Sequence, residues 1–259
     1  MHIIIISRQE ETTRRAFQAS QLARLGLSFE FLDAFEARDL SDAECQAAAN
    51  VWPGPTLPQD IACFHSHRMA WHKVAEMGAP VLILEDDAVL ADTLPQVLAE
   101  IERSPMPANT AYDLEFTPEP HILAEHESLT FLGGKVVARR VYKNRVGLAA
   151  YVIGPQVARR MLQDTERYGL VDSYFWHRPW LSGLQIEPAQ AVQMRFLGEG
   201  DSVLAFHRPP QKKPFRPAGK LRKVLLQLEL ELNRGRCLLQ AAFRSQRREP
   251  LIDRAQFHT

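Results

Sequence analysis

Three carboxylates stand side by side at Glu85, Asp86 and Asp87, directly after the apolar run Val81-Leu82-Ile83-Leu84. Such a run has the length and branching of a strand buried in a parallel sheet. Open α/β sheets bind their ligands at the carboxyl ends of their strands, where these acids fall. Adjacent carboxylates repel one another and need a cation, a basic side chain or full solvation. Oxygen ligands suit a hard ion, Mg²⁺ or Mn²⁺, able to hold the two phosphates of a nucleotide sugar; the competing reading is an acidic turn left in water. Ser7, Arg8, Arg14 and Arg15 follow the first strand, where basic groups could meet a diphosphate or simply form a solvated helix face. His65 and His67, two residues apart on a helix, share no face and are not a zinc pair. His67 lies on an apolar stripe, the usual place for a core histidine.

The elements that must position these groups alternate strand and helix. Ile3 to Ile6 reads as a buried strand, followed by a helix from about Glu11 to Leu25 with Phe17, Leu22 and Leu25 inward and Gly26 as its stop. Phe29 and Phe31 flank Glu30 in a second strand. The spacing of Cys63, His67, Ala70, Val74 and Met77 predicts a helix over 58–77, ended by Gly78 and Pro80. Thr93-Leu94-Pro95-Gln96 reads as a capping box before a helix whose inward face is Leu94, Val97, Leu98 and Ile101. Gly133-Gly134 predicts a two-residue hairpin, Val146 to Ile153 a strand, and Pro155 the start of a helix to about Tyr168 capped by Gly169. The order implies an α/β sheet covered on both sides.

The 46% hydrophobic and 24% charged content is that of an ordinary globule, and 259 residues suffice for one sizeable α/β domain with an appendage. Three widely spaced cysteines make neither a disulfide framework nor a zinc set, so a reduced, cytoplasmic compartment is expected. Neither a signal peptide nor a membrane-spanning run is expected, nor a nucleic-acid partner. Net charge is zero, but residues 208–259 hold 13 Lys/Arg against four Asp/Glu. The expected division is therefore a domain over 1–207 and, over 208–259, a proline-marked connector with a basic amphipathic helical tail. Leu221, Val224, Leu225, Leu228 and Leu232 recur there at helical spacing. Such a helix suits an anionic membrane interface, on the inner face of the cytoplasmic membrane, or packing on the body or a second copy.

Four blocks in order resemble glycosyltransferase family 25: Ile3 to Ala37, with Arg14-Arg15; Asp60 to His67, similar to the family's Cys-x-x-Ser-His block; Leu82 to Asp87; and Gly147 to Tyr151 leading to Asp172. The sequence departs at Gln59-Asp60, where the family has Gly-Glu, and at Leu148, where a small residue is usual. The resemblance implies a GT-A-like fold and inverting transfer of a hexose, most often galactose, from a UDP-sugar to a lipooligosaccharide, lipopolysaccharide or other glycan acceptor. It implies Mn²⁺ or Mg²⁺ held by Glu85 and Asp87, with Asp86 on ribose or orienting the loop, and Ser7, Arg8, Arg14, Ser66 and His67 toward the donor. Asp172, before the aromatic cluster Tyr174, Phe175, Trp176 and Trp180 that could stack on a sugar, is the expected base; its alternative is an N-cap for a helix beginning at Ser173. A metal-dependent phosphohydrolase would need a second cluster of metal ligands or a nucleophile, and the sequence shows no second dense acidic motif. A non-catalytic relative rests only on the departures.

Overall fold

Four consecutive isoleucines, Ile3 to Ile6, leave no polar position along the strand, so both its faces must be covered. The computed structural model, which describes residues 1–143, 146–163, 169–197, 213–241 and 244–258, covers both. In chain order the strands are β1 (His2–Ser7), β2 (Glu30–Asp33), β3 (Val81–Glu85), β4 (Ala88–Leu90), β5 (Thr110–Asp113), β6 (Glu115–Phe116), β7 (His121–Ala124), β8 (Leu129–Phe131), β9 (Val136–Lys143), β10 (Ala150–Ile153), β11 (Ser182–Glu187), β12 (Ala191–Gln193) and β13 (Ser245–Arg248). The helices are α1 (Thr12–Arg24), α2 (Asp42–Ala49), α3 (Pro58–Met77), α4 (Leu94–Arg103), α5 (Pro155–Gln163), α6 (Val171–Trp176) and α7 (Lys220–Ala241).

The large sheet has the order β13-β7-β9-β11-β5-β10-β3-β1-β2, with β8 added beside β9; β4, β12 and β6 form a small second sheet. β2, β1 and β3 are parallel, and β10 runs antiparallel between β3 and β5. The isoleucines divide by parity, as the pleat requires. Ile3 and Ile5 join Leu82, Leu84, Leu22 and the inward face of α4. Ile4 and Ile6 join Val81 and Ile83 under Phe64 and Trp71 of α3, Val157 and Met161 of α5, and Tyr174 and Phe175 of α6. A one-residue slip of β1 would exchange the two sets, so the register of the parallel core, and with it the position of the acids, is strongly specified.

Several local expectations are corrected. Thr93 makes no cap; its hydroxyl bonds the side chains of Gln190 and Gln256, at 2.9 and 2.5 Å. The hairpin at Gly133-Gly134 is longer than two residues, because Phe131 pairs with Val136 and a 3₁₀ turn, Leu132–Gly134, fills the gap. The strand expected from Val146 begins only at Ala150. Gly169 has no left-handed backbone; a Cβ there would stand 2.2 Å from the Trp52 ring, so close approach is what demands glycine. The end of the expected helix to Tyr168 lies outside the described residues. Met77, placed on the inward stripe of α3, is exposed, and that face is built instead by Ile61, Phe64 and Trp71.

The segment over 208–259 is more than a connector and helix. Residues 208–212 fall outside the described residues. Phe215 exchanges backbone hydrogen bonds with Thr56 at 3.0 and 2.9 Å, and β13 adds to the edge of the large sheet beside β7. Phe257 packs with Val89, Phe116 and Val192. Glu187, fully buried, accepts two hydrogen bonds from the Arg248 guanidinium at 2.5 and 2.7 Å and one from the Leu251 N–H at 2.9 Å. Removing one partner of a buried ion pair leaves an under-compensated charge. Arg248→Ala should therefore lower unfolding free energy by about 3 kcal/mol, read by urea denaturation. A loss below about 1 kcal/mol would mean that Arg139, whose Nε lies 3.2 Å from the same carboxylate, compensates Glu187 without Arg248.

Candidate active site

The end of β3 sends its three carboxylates to three different surroundings. Glu85 points toward α3, where its Oε1 lies 3.2 Å from Nε2 of His67 and 4.0 Å from Sγ of Cys63, while Oε2 lies 3.4 Å from Nε2 of Gln193. Burial works against its charge, but the hydrogen bond with His67 and the nearby Arg195 outweigh it and hold the carboxyl below its ordinary range. Asp86 turns the other way. It accepts from Ser7 Oγ at 2.8 Å and from the Arg14 guanidinium at 2.9 Å, closing β1 and α1 onto the acidic turn. Asp87 is buried, and its Oδ1 has no hydrogen-bond partner. Burial and the charges of Glu85 and Asp86 push it up to about 7, against the opposing pull of Arg14 and Arg195.

The turn is gripped from behind by two glutamines. Gln18 Nε2 donates to the carbonyls of Asp86 and Ala88 at 3.0 and 2.8 Å. Gln21 donates to Ala88 O at 3.1 Å and accepts the Leu90 N–H at 2.7 Å. Both are buried on the inward face of α1, beside Leu22. Their backbone bonds fix the direction in which the turn presents its side chains, as buried amides do when fully engaged.

His67 is likewise fixed from behind. Trp71 Nε1 donates to the Tyr151 hydroxyl at 2.8 Å, and that hydroxyl lies 2.9 Å from His67 Nδ1. With the tyrosine proton directed at Nδ1, the imidazole carries its own proton on Nε2 and donates it to Glu85. Opposite, Asp172 lies in the first turn of α6 rather than at its cap, which is Leu170. Its Oδ1 accepts the Ser173 N–H at 2.6 Å; burial raises its pKa, against hydrogen bonds from Ser173 and Gly147, and Glu85 adds to the rise. Gly147, at φ +93°, has no room for a side chain: a Cβ would stand 2.7 Å from Thr117 and 2.8 Å from Glu115. Its carbonyl accepts from Trp176 Nε1 at 2.8 Å, which joins this loop to α6.

The structure thus brings Ser7, Arg14, His67, Glu85, Asp86, Asp87 and Asp172 around one turn. It places other expected residues elsewhere. Ser66 is buried with its hydroxyl engaged, donating to Ala62 O and accepting from Phe35 N, both at 2.9 Å. Arg8 pairs with Glu11 at the surface. Arg15 binds the carbonyls of Ser7 and Arg8 and lies over the Phe31 ring, so it braces the strand end. Tyr174 and Phe175 are core residues against Trp71 and cannot stack on a sugar, whereas Trp176 and Trp180 are only partly buried. Leu148 is packed in the core beneath α3 and α6, and Asp60 accepts the Leu57 N–H at 2.8 Å to cap α3.

Four contributors were not read from the sequence: Gln18, Gln21, Gln193 and Arg195. The glutamines had a signal, since they interrupt the apolar face of α1 at i and i+3 beside Leu22 and Leu25. Arg195 had none. It reaches the acids because Met194 N–H bonds the Asp87 carbonyl at 3.0 Å, bringing the end of β12 alongside the turn.

Residues 1–176, which include every acid and the histidine of the site though not Gln193 and Arg195, match the sequence model of glycosyltransferase family 25, described as lipopolysaccharide biosynthesis proteins. The chain belongs to glycosyltransferase family 25. Family 25 relatives include the lacto-N-neotetraose biosynthesis glycosyltransferases LgtE and LgtB of Neisseria gonorrhoeae, each 26% identical. The LgtE alignment covers 89% of this chain and 88% of that one; the LgtB alignment covers 96% of both. The mouse protein called inactive glycosyltransferase 25 family member 3 is 25% identical over 77% of this chain and 38% of its own length. In this family 25 chain one oxygen of the acidic turn is left over for a hard cation: Asp87 Oδ1, buried without a hydrogen-bond partner and under the charges of Glu85 and Asp86.

Asp87 generates a pH prediction. In the unfolded chain an aspartate loses its proton near pH 4, whereas here it keeps it to about 7. The folded state therefore holds the extra proton between those values, and cation-free stability falls as pH rises through that window. In thermal melts with EDTA, Asp87→Asn should melt above the parent at pH 8, with the gap closing toward pH 5. An equal gap at both pH values would show that the Asp87 carboxyl is unstrained.

Proposed function

We propose that this protein is an inverting, divalent-cation-assisted glycosyltransferase that moves a hexose, most consistently galactose, from a UDP-sugar to a hydroxyl of a lipooligosaccharide, lipopolysaccharide or related glycan. Its family 25 membership supports glycosyl transfer, and the parallel β2-β1-β3 unit ending in the acidic turn is consistent with a GT-A-like donor fold. The observation that carries the finer reading is the division of labour in the turn. Asp86 is paired with Arg14 and Ser7 and Glu85 is held by His67 and Gln193, whereas Asp87 Oδ1 is left for a cation.

A bound Mn²⁺ or Mg²⁺ would carry the negative charge that gathers on the departing diphosphate. The chain's own residues do the rest. Glu85 is aimed by His67 and Gln193, Asp87 is aimed by the backbone that Gln18 holds, and Arg195 stands at the rim as a further positive charge. Asp172 takes the proton from the acceptor hydroxyl; the burial that raises its pKa makes it a better base. Trp176, partly exposed and held through its indole N–H on the Gly147 carbonyl, is the aromatic face left for an acceptor sugar, whereas Trp180 stands beside Asn109 at the opposite end of the sheet with the Arg160 guanidinium over its ring.

A panel of UDP- and GDP-sugars with Mn²⁺, scored by nucleotide release, tests the reading directly. Release should be fastest with a UDP-hexose and should cease in EDTA. Asp172→Asn should lower kcat by about 10²-fold or more, the scale of a lost general base, while leaving donor affinity nearly unchanged. Full transfer in EDTA would dismiss the cation, and lost donor affinity in Asp172→Asn would move that residue to the nucleotide.

The same reading extends to α7, which lies against β9 and β7. Leu226, Leu230 and Asn233 are its half-buried side, whereas Leu221, Val224, Leu225, Leu228, Leu232 and Leu239 form a second stripe that is exposed, up to 79% at Leu239. No helix among the described residues is long and apolar enough to cross a membrane. The exposed stripe, with Arg222, Lys223 and Arg236 in the same helix, would instead lie in an anionic membrane interface. Each basic residue near such a surface contributes on the order of 1 kcal/mol. Leu225→Glu/Leu228→Glu should abolish flotation with anionic liposomes. Unchanged flotation would assign the stripe to something other than lipid, and a shift from dimer to monomer on gel filtration would assign it to a second copy.

A further inference from the structure

Cys63 and His67 are one helical turn apart on α3, so their side chains leave the same face. Glu85 meets them from the end of β3. Cys63 Sγ is 4.0 Å and His67 Nε2 3.2 Å from the same Glu85 oxygen, and the three ligand atoms all lie within 4.8 Å of one another. Among the described residues this is the one group of three or more Cys, His, Asp or Glu ligands so placed. Ligand atoms about a tetrahedral zinc ion, with bonds of about 2.0 to 2.3 Å, stand roughly 3.4 to 3.6 Å apart. One ion therefore fits among these three after side-chain movements of ~1 Å or less.

We propose that Cys63, His67 and Glu85 form a site for a borderline-soft divalent cation, Zn²⁺ foremost, adjoining the hard-cation position proposed at Asp87 and sharing Glu85 with it. Thiolate and imidazole select such ions, just as carboxylate oxygens alone select Mg²⁺ and Mn²⁺. The imidazole has its outer support in place: with Nε2 on the ion, Nδ1–H donates to the Tyr151 hydroxyl, which Trp71 already anchors. Cys63 binds as thiolate, and its proton passes to solvent. Cys63 and Glu85 are only half-buried, which leaves an entry path, and three protein ligands leave a fourth position for water or an incoming oxygen.

The two sites share Glu85, so they are coupled. Zinc drawing Glu85 toward α3 weakens the hold on a hard cation, and the hard cation weakens zinc by the same factor. Zinc is thereby an antagonist of the proposed donor site. This coupling rests on the donor reading, whereas the zinc site itself does not.

Titration of the metal-free protein with Co²⁺ separates the two. Coordination by Cys63 gives a near-ultraviolet sulfur-to-cobalt charge-transfer band, and Zn²⁺ added afterwards should erase it. Cys63→Ser should lose the band and weaken Zn²⁺, measured against a chromophoric chelator, by more than the roughly 10- to 100-fold that a lost outer-shell partner costs. Asp87→Asn should keep both the band and the zinc affinity while losing Mn²⁺ binding. No band in the parent, a band unchanged in Cys63→Ser, or one lost in Asp87→Asn would each overturn the site. Failure of Mn²⁺ binding in the parent with the cobalt band intact would overturn only the donor-cation reading.

Discussion

Like charges at consecutive positions are the constraint around which this molecule is arranged. Two carboxylates about 4 Å apart cost on the order of 4 kcal/mol at an effective dielectric near 20, and here three follow one another at the end of a buried strand. The fold disperses the cost by sending each acid to a different partner set. Asp86 receives a guanidinium and a hydroxyl, and Glu85 an imidazole and an amide. Asp87 is relieved least, and its proton records the shortfall. Under the cation-assisted reading proposed above, that shortfall is what the turn offers an ion, because a site that neutralised all three acids would have nothing left to bind one.

That arrangement demands stiffness around the turn, which comes from polar contacts inside the core rather than from apolar packing alone. Gln18 and Gln21 bind backbone, Tyr151 holds His67, and Gly147 allows its loop to pass against Glu115. Burial and the neighbouring Asp113 push Glu115 well above the usual carboxylate range, and it accepts the Ala149 N–H at 2.7 Å. This buried acid, pushed toward its neutral form, serves as a hydrogen-bonding post for the loop before β10.

Much of this was legible in the amino-acid order where one residue decides an outcome. Pro58 and Gly78 delimit α3, because proline suits a helix start and the φ of +73° at Gly78 suits its end. The inward face of α4 follows from its spacing. The acidic turn is visible because three charges cannot be an ordinary strand end. What escaped reading depends on partners distant in the chain. Gln21 at a helix surface looks solvated until the Ala88 carbonyl arrives, and Gly169 looks like a cap until Trp52 lies against it. Ser41 and Glu44, which form a reciprocal capping box for α2, were a local signal passed over. Ser66, part of the family-like block, is engaged with the Ala62 carbonyl and the Phe35 N–H, and sequence resemblance cannot distinguish such packing from contact with a ligand.

The strand β13 bears on how the molecule behaves in company. It covers the outer side of β7, whose residues His-Ile-Leu-Ala would otherwise present open backbone groups at the margin of the large sheet. Its own sequence, Ser-Gln-Arg-Arg, is polar and cationic, which makes a poor template for another chain's strand. Detaching those four residues would expose a short apolar ribbon able to recruit neighbours by strand addition. The ion pair between Glu187 and Arg248 ties that covering strand to the sheet, so the closure of this edge rests on a carboxylate that no solvent touches.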